Sequence, residues 1–167
     1  NGFSSAVSFS LTGLPSGATG TFNPASVTGS GSSTLTVATA ANTPTGTYTL
    51  TITGTSGSLT QTAPVTLIVS SAPSFSLAAS PGTQTVVQGA ATSFTPAVTG
   101  SNGFSAAVTF SVSGLPTGVT GNFNPTSVTG SGSSTLTLST SAAAVTGSYA
   151  LTITGTSGSL TQSETVA

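Results

Sequence analysis

The sequence repeats itself at a fixed spacing of 101 residues, because a shift of that length aligns residues 1–66 with residues 102–167 without a gap. Of these 66 aligned positions 46 are identical, and residues 67–101 occur only once. A segment of about 100 residues is long enough to bury a hydrophobic core of its own. The repeat therefore predicts two related domains and not one large domain.

The pattern inside one period is typical of β-strands. Short runs place apolar residues at every second position, as in Val108, Phe110 and Val112, or in Leu136 and Leu138, and clusters of Gly, Pro, Asn and Ser separate the runs. A spacing of two is that of side chains along a strand, whereas an amphipathic helix has a period near 3.6. We expect about seven short strands in each period and no helix.

The segment that occurs once is expected to supply the first strands of a unit. Its alternation predicts an edge segment at 74–79, a strand at 84–88 and another at 92–99. The last strand of a unit is legible only in the first copy, at residues 65–69.

Two tyrosines open matching strands in the two copies. Tyr48 lies in the run GTYTLTI and Tyr149 in the run GSYALTI, each after a glycine and before alternating aliphatic residues. A tyrosine in this place resembles the tyrosine corner of immunoglobulin-like sandwiches, where the ring packs in the core and the hydroxyl bonds to nearby backbone. With this motif the whole chain resembles tandem bacterial immunoglobulin-like repeats, the Big-type domains of secreted and cell-surface proteins.

The resemblance implies an all-β fold class, with tandem immunoglobulin-like antiparallel β-sandwiches of about seven strands per repeat. The phase of the repeat then predicts the domains: residues 1–72 form a repeat that lacks its first strands, and residues 73–167 form one that lacks its last strand. An incomplete sandwich exposes a core face and unpaired strand edges. We therefore expect neighbours to complete both units, either as further repeats in a longer covalent array or as subunits of a polymer that donate strands.

The composition excludes most site chemistry. The chain has no Lys, Arg, His or Cys, and its one acidic residue is Glu164, which aligns with Ala63 in the first copy. Proton transfer and nucleophilic attack by a hydroxyl require a titratable partner, and zinc and calcium sites require several Cys, His or carboxylate ligands. We therefore expect no enzyme activity, no metal site and no cofactor.

The same composition limits the partners. Because the chain has no Lys or Arg, it has no positive side chains to bind the phosphates of nucleic acid. No run of residues approaches the roughly 18 apolar residues that a membrane span requires. Ser and Thr make up 67 of the 167 residues, so O-linked glycans on outward hydroxyls are a candidate modification. Near-zero net charge promotes association. The expected partners are copies of the chain itself, in a homopolymer or a longer tandem array.

Two functions fit these observations, both in a secreted or cell-surface protein. The first is the structural repeat unit of an extracellular filament, stalk or surface fibre, held by end-to-end or donated-strand contacts. The second is a spacer or binding module of a bacterial adhesin or of a secreted carbohydrate-active protein. Exposed aromatic rings would favour the second function because sugars stack on them, and the candidates lie in NGF turns or before Asn-Pro: Phe3, Phe104, Phe22 and Phe123.

Overall fold

The computed structural model describes residues 3–167, and within that range it contains fifteen β-strands and no helix. The strands pair in antiparallel fashion in both copies, so the predicted all-β antiparallel sandwich class is confirmed. No helix in the described range is long and apolar enough to cross a membrane. The chain divides into two compact units, Asn1–Ser71 (unit 1) and Ala72–Ala167 (unit 2).

Unit 1 has six strands in its described residues. They are β1 (Ala6–Thr12), β2 (Ala18–Asn23), β3 (Ser26–Thr28), β4 (Thr34–Thr39), β5 (Gly46–Ser56) and β6 (Leu59–Val69). One sheet has the order β3-β1-β5-β6, and the other is the pair β2-β4. Alternate residues turn inward along each strand, so that in β1 the residues Val7, Phe9 and Leu11 are half-buried between exposed neighbours.

Unit 2 has nine strands. They are β7 (Ser74–Ser80), β8 (Ala91–Ser101), β9 (Ala107–Ser113), β10 (Val119–Asn124), β11 (Ser127–Thr129), β12 (Gly132–Ser133), β13 (Thr135–Thr140), β14 (Leu151–Ser157) and β15 (Leu160–Val166). One sheet has the order β11-β9-β14-β15; the other has the order β10-β13-β8, and β7 and β12 also pair with β8. Seven of the nine strands have six or more residues, which agrees with the number expected for one repeat.

The core of unit 2 lies between its two sheets. Its buried centre includes Phe94 from β8, Leu136 and Leu138 from β13, Ile153 from β14 and Val166 from β15. Each occupies an inward position of an alternating strand, and its neighbours along the strand are mostly Ser or Thr. Full burial of one such side chain contributes about 1.5–3 kcal/mol. The residues that make the strand pattern legible in the sequence therefore also stabilise the unit.

Residues 84–88, which the alternation predicts to be a strand, form none in the structure. They belong to the connection between β7 and β8. The Gln84 N–H donates to the carbonyl of Ala167 at 2.7 Å, and the Ala167 N–H donates to the carbonyl of Gly82 at 3.0 Å. A strand needs a partner backbone along its length, and of residues 84–88 only Gln84 has a backbone–backbone hydrogen bond to a segment outside the connection. The strand prediction is therefore wrong for this segment.

The last strand of unit 2 is shorter than its counterpart in unit 1. Residues Leu160–Val166 form β15, which pairs with β14 from Ser157↔Leu160 to Leu151↔Val166. In unit 1 the matching strand β6 runs further, and its residues 67–69 face residues 46–48 of β5. Residues 160–166 of β15 therefore match the first part of β6 in both sequence position and pairing.

Candidate functional site

Unit 1 leaves an apolar surface uncovered on the inner side of its four-stranded sheet. A cleft of about 510 Å³ lies there. We call its apolar lining the open face, which consists of Phe3, Val7, Phe9, Ile52, Leu59 and Ala63. The pair β2-β4 covers part of this side, since the rings of Phe22 and Phe9 stack at 5.4 Å. Elsewhere large apolar groups stay in solvent, and Phe3 is 47% exposed.

The same surface is covered in unit 2. Val108 and Ile153 match two residues of the open face and are the same amino acids, yet both are 0% exposed. Val108 packs with Phe75 from β7 and Val98 from β8, and Ile153 packs with Phe94 from β8. Both covering strands belong to the segment that occurs once. Residues 74–101 thus account for the difference between two units of closely similar sequence.

The second open feature of unit 1 is a strand edge. In unit 2, β13 pairs with β10 on one side and with β8 on the other, through a register from Leu136↔Phe94 to Ser139↔Ala91. Among the described residues of unit 1, the matching strand β4 pairs with β2 alone. The backbone N–H and C=O groups along the other edge of β4 therefore face no strand. Such an edge is a template for a strand from elsewhere.

Unit 2 has a smaller opening of about 260 Å³, which we call the slot. Residues 83–86 form one wall, residues 147–149 form the other, and Leu151 also lines it. In unit 1, residues 67–69 pair with the residues that match the second wall. The slot is therefore the place of a strand end like 67–69. The sequence analysis did not predict it, although the alignment of residues 147–149 with 46–48 contained the signal.

Both tyrosines are half-buried, and each hydroxyl donates to a backbone carbonyl four residues earlier. Tyr48 Oη lies 3.0 Å from the carbonyl oxygen of Pro44, and Tyr149 Oη lies 3.3 Å from that of Val145. Tyr48 lies near the start of β5 and Tyr149 lies two residues before β14, and each hydrogen bond joins the ring to the preceding loop. This geometry supports a structural role for the two residues, as the resemblance to a tyrosine corner implies.

Tyr149→Phe is expected to lower the free energy of unfolding of unit 2 by about 0.5–1.5 kcal/mol, because the ring stays and one hydrogen bond is lost. Equilibrium denaturation, followed by signals assigned to unit 2, measures this loss. The matched variant Tyr48→Phe is expected to cost unit 1 a similar amount. A loss above about 3 kcal/mol for either variant would contradict a role confined to a single hydrogen bond.

Of the four aromatic residues that are candidates for sugar binding, one is exposed and two are half-buried. Phe3 lies on the open face. Phe22 is half-buried against Phe9, and Phe104 is half-buried with its ring centroid 5.2 Å from that of Phe75. Ring pairs at these distances are typical of packed aromatic clusters. Phe22 and Phe104 are therefore partly engaged in packing, and Phe3 has the most accessible ring of the three.

The fourth candidate, Phe123, is buried, although the sequence predicts an exposed ring. Phe123 is 8% exposed, and its ring stacks on that of Phe110 at 5.5 Å. It occupies an inward position of β10, opposite Leu136 of β13, and belongs to the core cluster that contains Phe94. The Asn-Pro that follows suggested a loop, but the strand alternation continues as far as Asn124. The prediction of exposure is therefore wrong for this residue.

The outer sides of the two four-stranded sheets carry hydroxyl groups in rows. Residues directly opposite each other on neighbouring strands point to the same side, and here they are Ser or Thr. The rows are Ser8↔Thr55↔Thr60 and Ser10↔Thr53↔Thr62 in unit 1, and Thr109↔Thr156↔Thr161, Ser111↔Thr154↔Ser163 and Ser113↔Thr152↔Thr165 in unit 2. We call these surfaces the hydroxyl faces. They offer hydrogen bonds without any charge.

The sequence contains one carboxylate side chain, that of Glu164. Glu164 is half-buried in β15, opposite Ile153 of β14. Residues 3–167 contain no group of three or more His, Cys, Asp or Glu side chains that could hold a metal ion. A single carboxylate, in a chain without His, Cys, Lys or Arg, provides neither an acid–base pair nor a set of metal ligands.

The chain matches no family model, and no curated protein is significantly similar to it. Among solved structures it is similar to domains 4 and 5 of the S-layer protein SbsC, with 20% identity, a TM-score of 0.45, and coverage of 96% of this chain and 97% of that one. It is also similar to the structure of SbsC domains 1–6, with 19% identity, a TM-score of 0.43, and coverage of 99% of this chain and 28% of that one. A protein of unknown function from Porphyromonas gingivalis W83 has 14% identity and a TM-score of 0.37, over 98% of this chain and 86% of that one. With TM-scores below 0.5, these similarities carry no argument about function.

Proposed function

We propose that the chain is a structural repeat of an extracellular filament, stalk or surface fibre, in which strands from neighbouring repeat units complete each sandwich. The observation that carries this proposal is the open face of unit 1. The amino acids that match Val7 and Ile52 are fully buried in unit 2, so the same side chains are suited to a core. A sandwich that leaves such residues in solvent is adapted to being closed by another segment.

The surface chemistry supports an assembly outside the cell. The hydroxyl faces and the near absence of charge leave little electrostatic repulsion between repeat units, since the formal net charge of the chain is −1. The lack of Lys and Arg also removes every cleavage site for trypsin-like proteases. O-linked glycans on the hydroxyl faces would keep such an assembly hydrated. Mass spectrometry that finds only unmodified peptides would remove the glycans from the proposal.

The role that we propose is mechanical and not enzymatic. Both units are of the immunoglobulin-like type in this proposal, with Tyr48 and Tyr149 as their tyrosine corners. The one acidic side chain, Glu164, lies on a strand next to the core and has no titratable partner. Reaction chemistry therefore has no support in the residues of either unit.

Electron microscopy of the native material tests this function. The expected result is long uniform filaments or fibres with an axial repeat of a few nanometres, the size of a domain of about 100 residues. Denaturing electrophoresis then separates the two modes of assembly. A ladder that collapses to one small band indicates donated strands between subunits, and a very large band indicates a covalent array. Material seen only as isolated particles without axial repetition would contradict the structural proposal.

A spacer or binding module of an adhesin, or of a carbohydrate-active protein, is the second candidate, and the exposure of Phe3 is the observation that favours it. A ring with half of its surface in solvent can stack on a sugar. The competing role of Phe3 is to pack beneath a strand that closes the open face, as Phe104 packs against Phe75 in unit 2. The result expected for this candidate is a glycan-array signal above background that Phe3→Ala abolishes.

A further inference from the structure

We propose that the open face of unit 1, together with the free edge of β4, is a receptor for a second copy of the strand pair formed by residues 74–101. This inference rests on the proposed function and adds the identity of the donated segment and its register. The occupant is a β-strand pair of the same chemistry as β7 and β8: uncharged, with apolar residues at alternate positions.

The fit follows from the internal repeat. Unit 2 already contains the complex in question, because its repeated part binds residues 74–101 on the surface that unit 1 leaves open. The residues that make this surface are the same amino acids in both units at five positions: Phe3 and Phe104, Val7 and Val108, Phe9 and Phe110, Ile52 and Ile153, Leu59 and Leu160. The sixth position differs, since Ala63 aligns with Glu164. The five shared residues lie on the same strands and offer a similar apolar surface to the same partner.

The register of the expected complex can be read from unit 2. There Phe94 of β8 faces Leu136 of β13, and Ala91 faces Ser139. The residues of β4 that match these two are Leu35 and Ala38. A second copy of β8 would therefore add to β4 antiparallel, with Phe94 opposite Leu35, and extend the pair β2-β4 into a larger sheet. Within this register Val37 stands for Leu138 and Ala38 for Ser139, and these two changes leave the backbone groups of the ladder intact.

Burial shows which donated side chains matter most. In unit 2, Phe75 is 4% exposed and covers Val108, and Phe94 is 1% exposed at the centre of the larger core cluster. Gly155 leaves room for this packing, since a Cβ there would lie 3.5 Å from Cε2 of Phe75 and 3.0 Å from Cγ1 of Val108. Its counterpart in unit 1 is also a glycine, Gly54. The room for the donated ring is therefore preserved.

Residues 1–167 contain two repeated bodies that can bind the strand pair but only one strand pair, which unit 2 holds. A folded copy of these residues therefore has no strand pair to spare. The occupant is a copy of residues 72–101 that is not engaged in a body of its own, and closure by another folded copy of residues 1–167 is a competing outcome.

The first test adds a synthetic peptide of residues 72–101 to the full chain. Methyl NMR signals of Ile52 and Val7 report on unit 1, and those of Ile153 and Val108 report on unit 2. The expected result is saturable binding of one peptide per chain, with the Ile52 signal moving towards the position of the Ile153 signal while the unit 2 signals stay in place. A peptide with Phe75→Ser and Phe94→Ser is the matched control, and we expect it to bind about 100-fold more weakly or worse.

An isolated strand pair is marginally stable in water, so a fusion provides a second test that does not depend on the peptide. Residues 72–101 joined directly to Asn1 recreate the Ser101–Asn102 junction of unit 2. We expect the thermal midpoint of unit 1 to rise by more than about 10 °C. The same fusion with Phe75→Ser and Phe94→Ser in the added segment should give no such rise. If neither the peptide nor the fusion moves the Ile52 signal, the inference is overturned.

Sedimentation of the full chain without peptide tests whether another folded copy of residues 1–167 closes the open face. A dimer in which Ile52 is already protected would show that a second copy of unit 1 closes the open face, and would overturn the assignment to residues 72–101. This result is independent of the microscopy that tests the proposed function. Filaments without peptide binding would leave the structural role in place, and peptide binding without filaments would leave the receptor in place.

Discussion

Ile153→Ala is expected to lower the free energy of unfolding of unit 2 by about 2–5 kcal/mol, the range for removal of a buried isoleucine side chain beyond its Cβ. Ile153 is fully buried between the two sheets, next to Phe94 and Val166. The closely packed surroundings can collapse only partly into the space left behind, so a cavity remains. Urea denaturation, monitored through NMR signals assigned to each unit, measures the free energy of unfolding of unit 2. Unit 1 serves as the internal reference.

The matched variant Ile52→Ala is the control. Ile52 occupies the same place in the repeat but is only half-buried and lines the open cleft. Its truncation removes fewer contacts and creates no closed cavity, and we expect a cost of about 1 kcal/mol in unit 1. Equal losses for the two variants would contradict the finding that residues 74–101 cover one isoleucine and leave the other open.

Gly114→Ala is expected to destabilise unit 2 by about 2–5 kcal/mol. Gly114 has a φ of +86°, in the left-handed region that side chains rarely adopt, and a Cβ there would lie 2.6 Å from the carbonyl oxygen of Ala150. Both the backbone conformation and the close approach therefore oppose a side chain. The measurement is again the free energy of unfolding of unit 2 from denaturant titration.

Gly158→Ala separates these two contributions. Gly158 also has a positive φ, +58°, but a Cβ there would meet no atom within 4 Å. We expect a cost of about 1 kcal/mol, from backbone conformation alone. If Gly158→Ala destabilises unit 2 as much as Gly114→Ala does, the close approach to Ala150 is not what requires the glycine.

The sequence predicts the strands well where alternation and a backbone partner coincide. Leu136 and Leu138 alternate with Thr and Ser, and β13 is indeed flanked by strands on both sides. Residues 84–88 also carry β-branched residues, but their one backbone–backbone hydrogen bond to another segment joins Gln84 to Ala167. Periodicity reports which side chains turn inward, and it carries no information about whether another backbone lies alongside. Prediction therefore fails at this connection between strands.

The open face could be anticipated from the phase of the repeat, because the segment 67–101 occurs once within residues 1–167. The exposure of individual aromatic residues could not. Phe22 and Phe123 are both followed by Asn-Pro, yet Phe22 is half-buried and Phe123 is buried. The difference comes from β7 and β8, which are distant in sequence from both residues.

Residue-resolved hydrogen exchange on β4 and β13 tests the central claim most directly, namely that the two units are one sandwich design with and without residues 74–101. In unit 2, alternate amides between Leu136 and Ser139 pair with β8; the matching amides between Leu35 and Ala38 face no strand among the described residues. The account predicts strong protection of the former and exchange near the unprotected rate for the latter. Equal protection of the matched amides would contradict it.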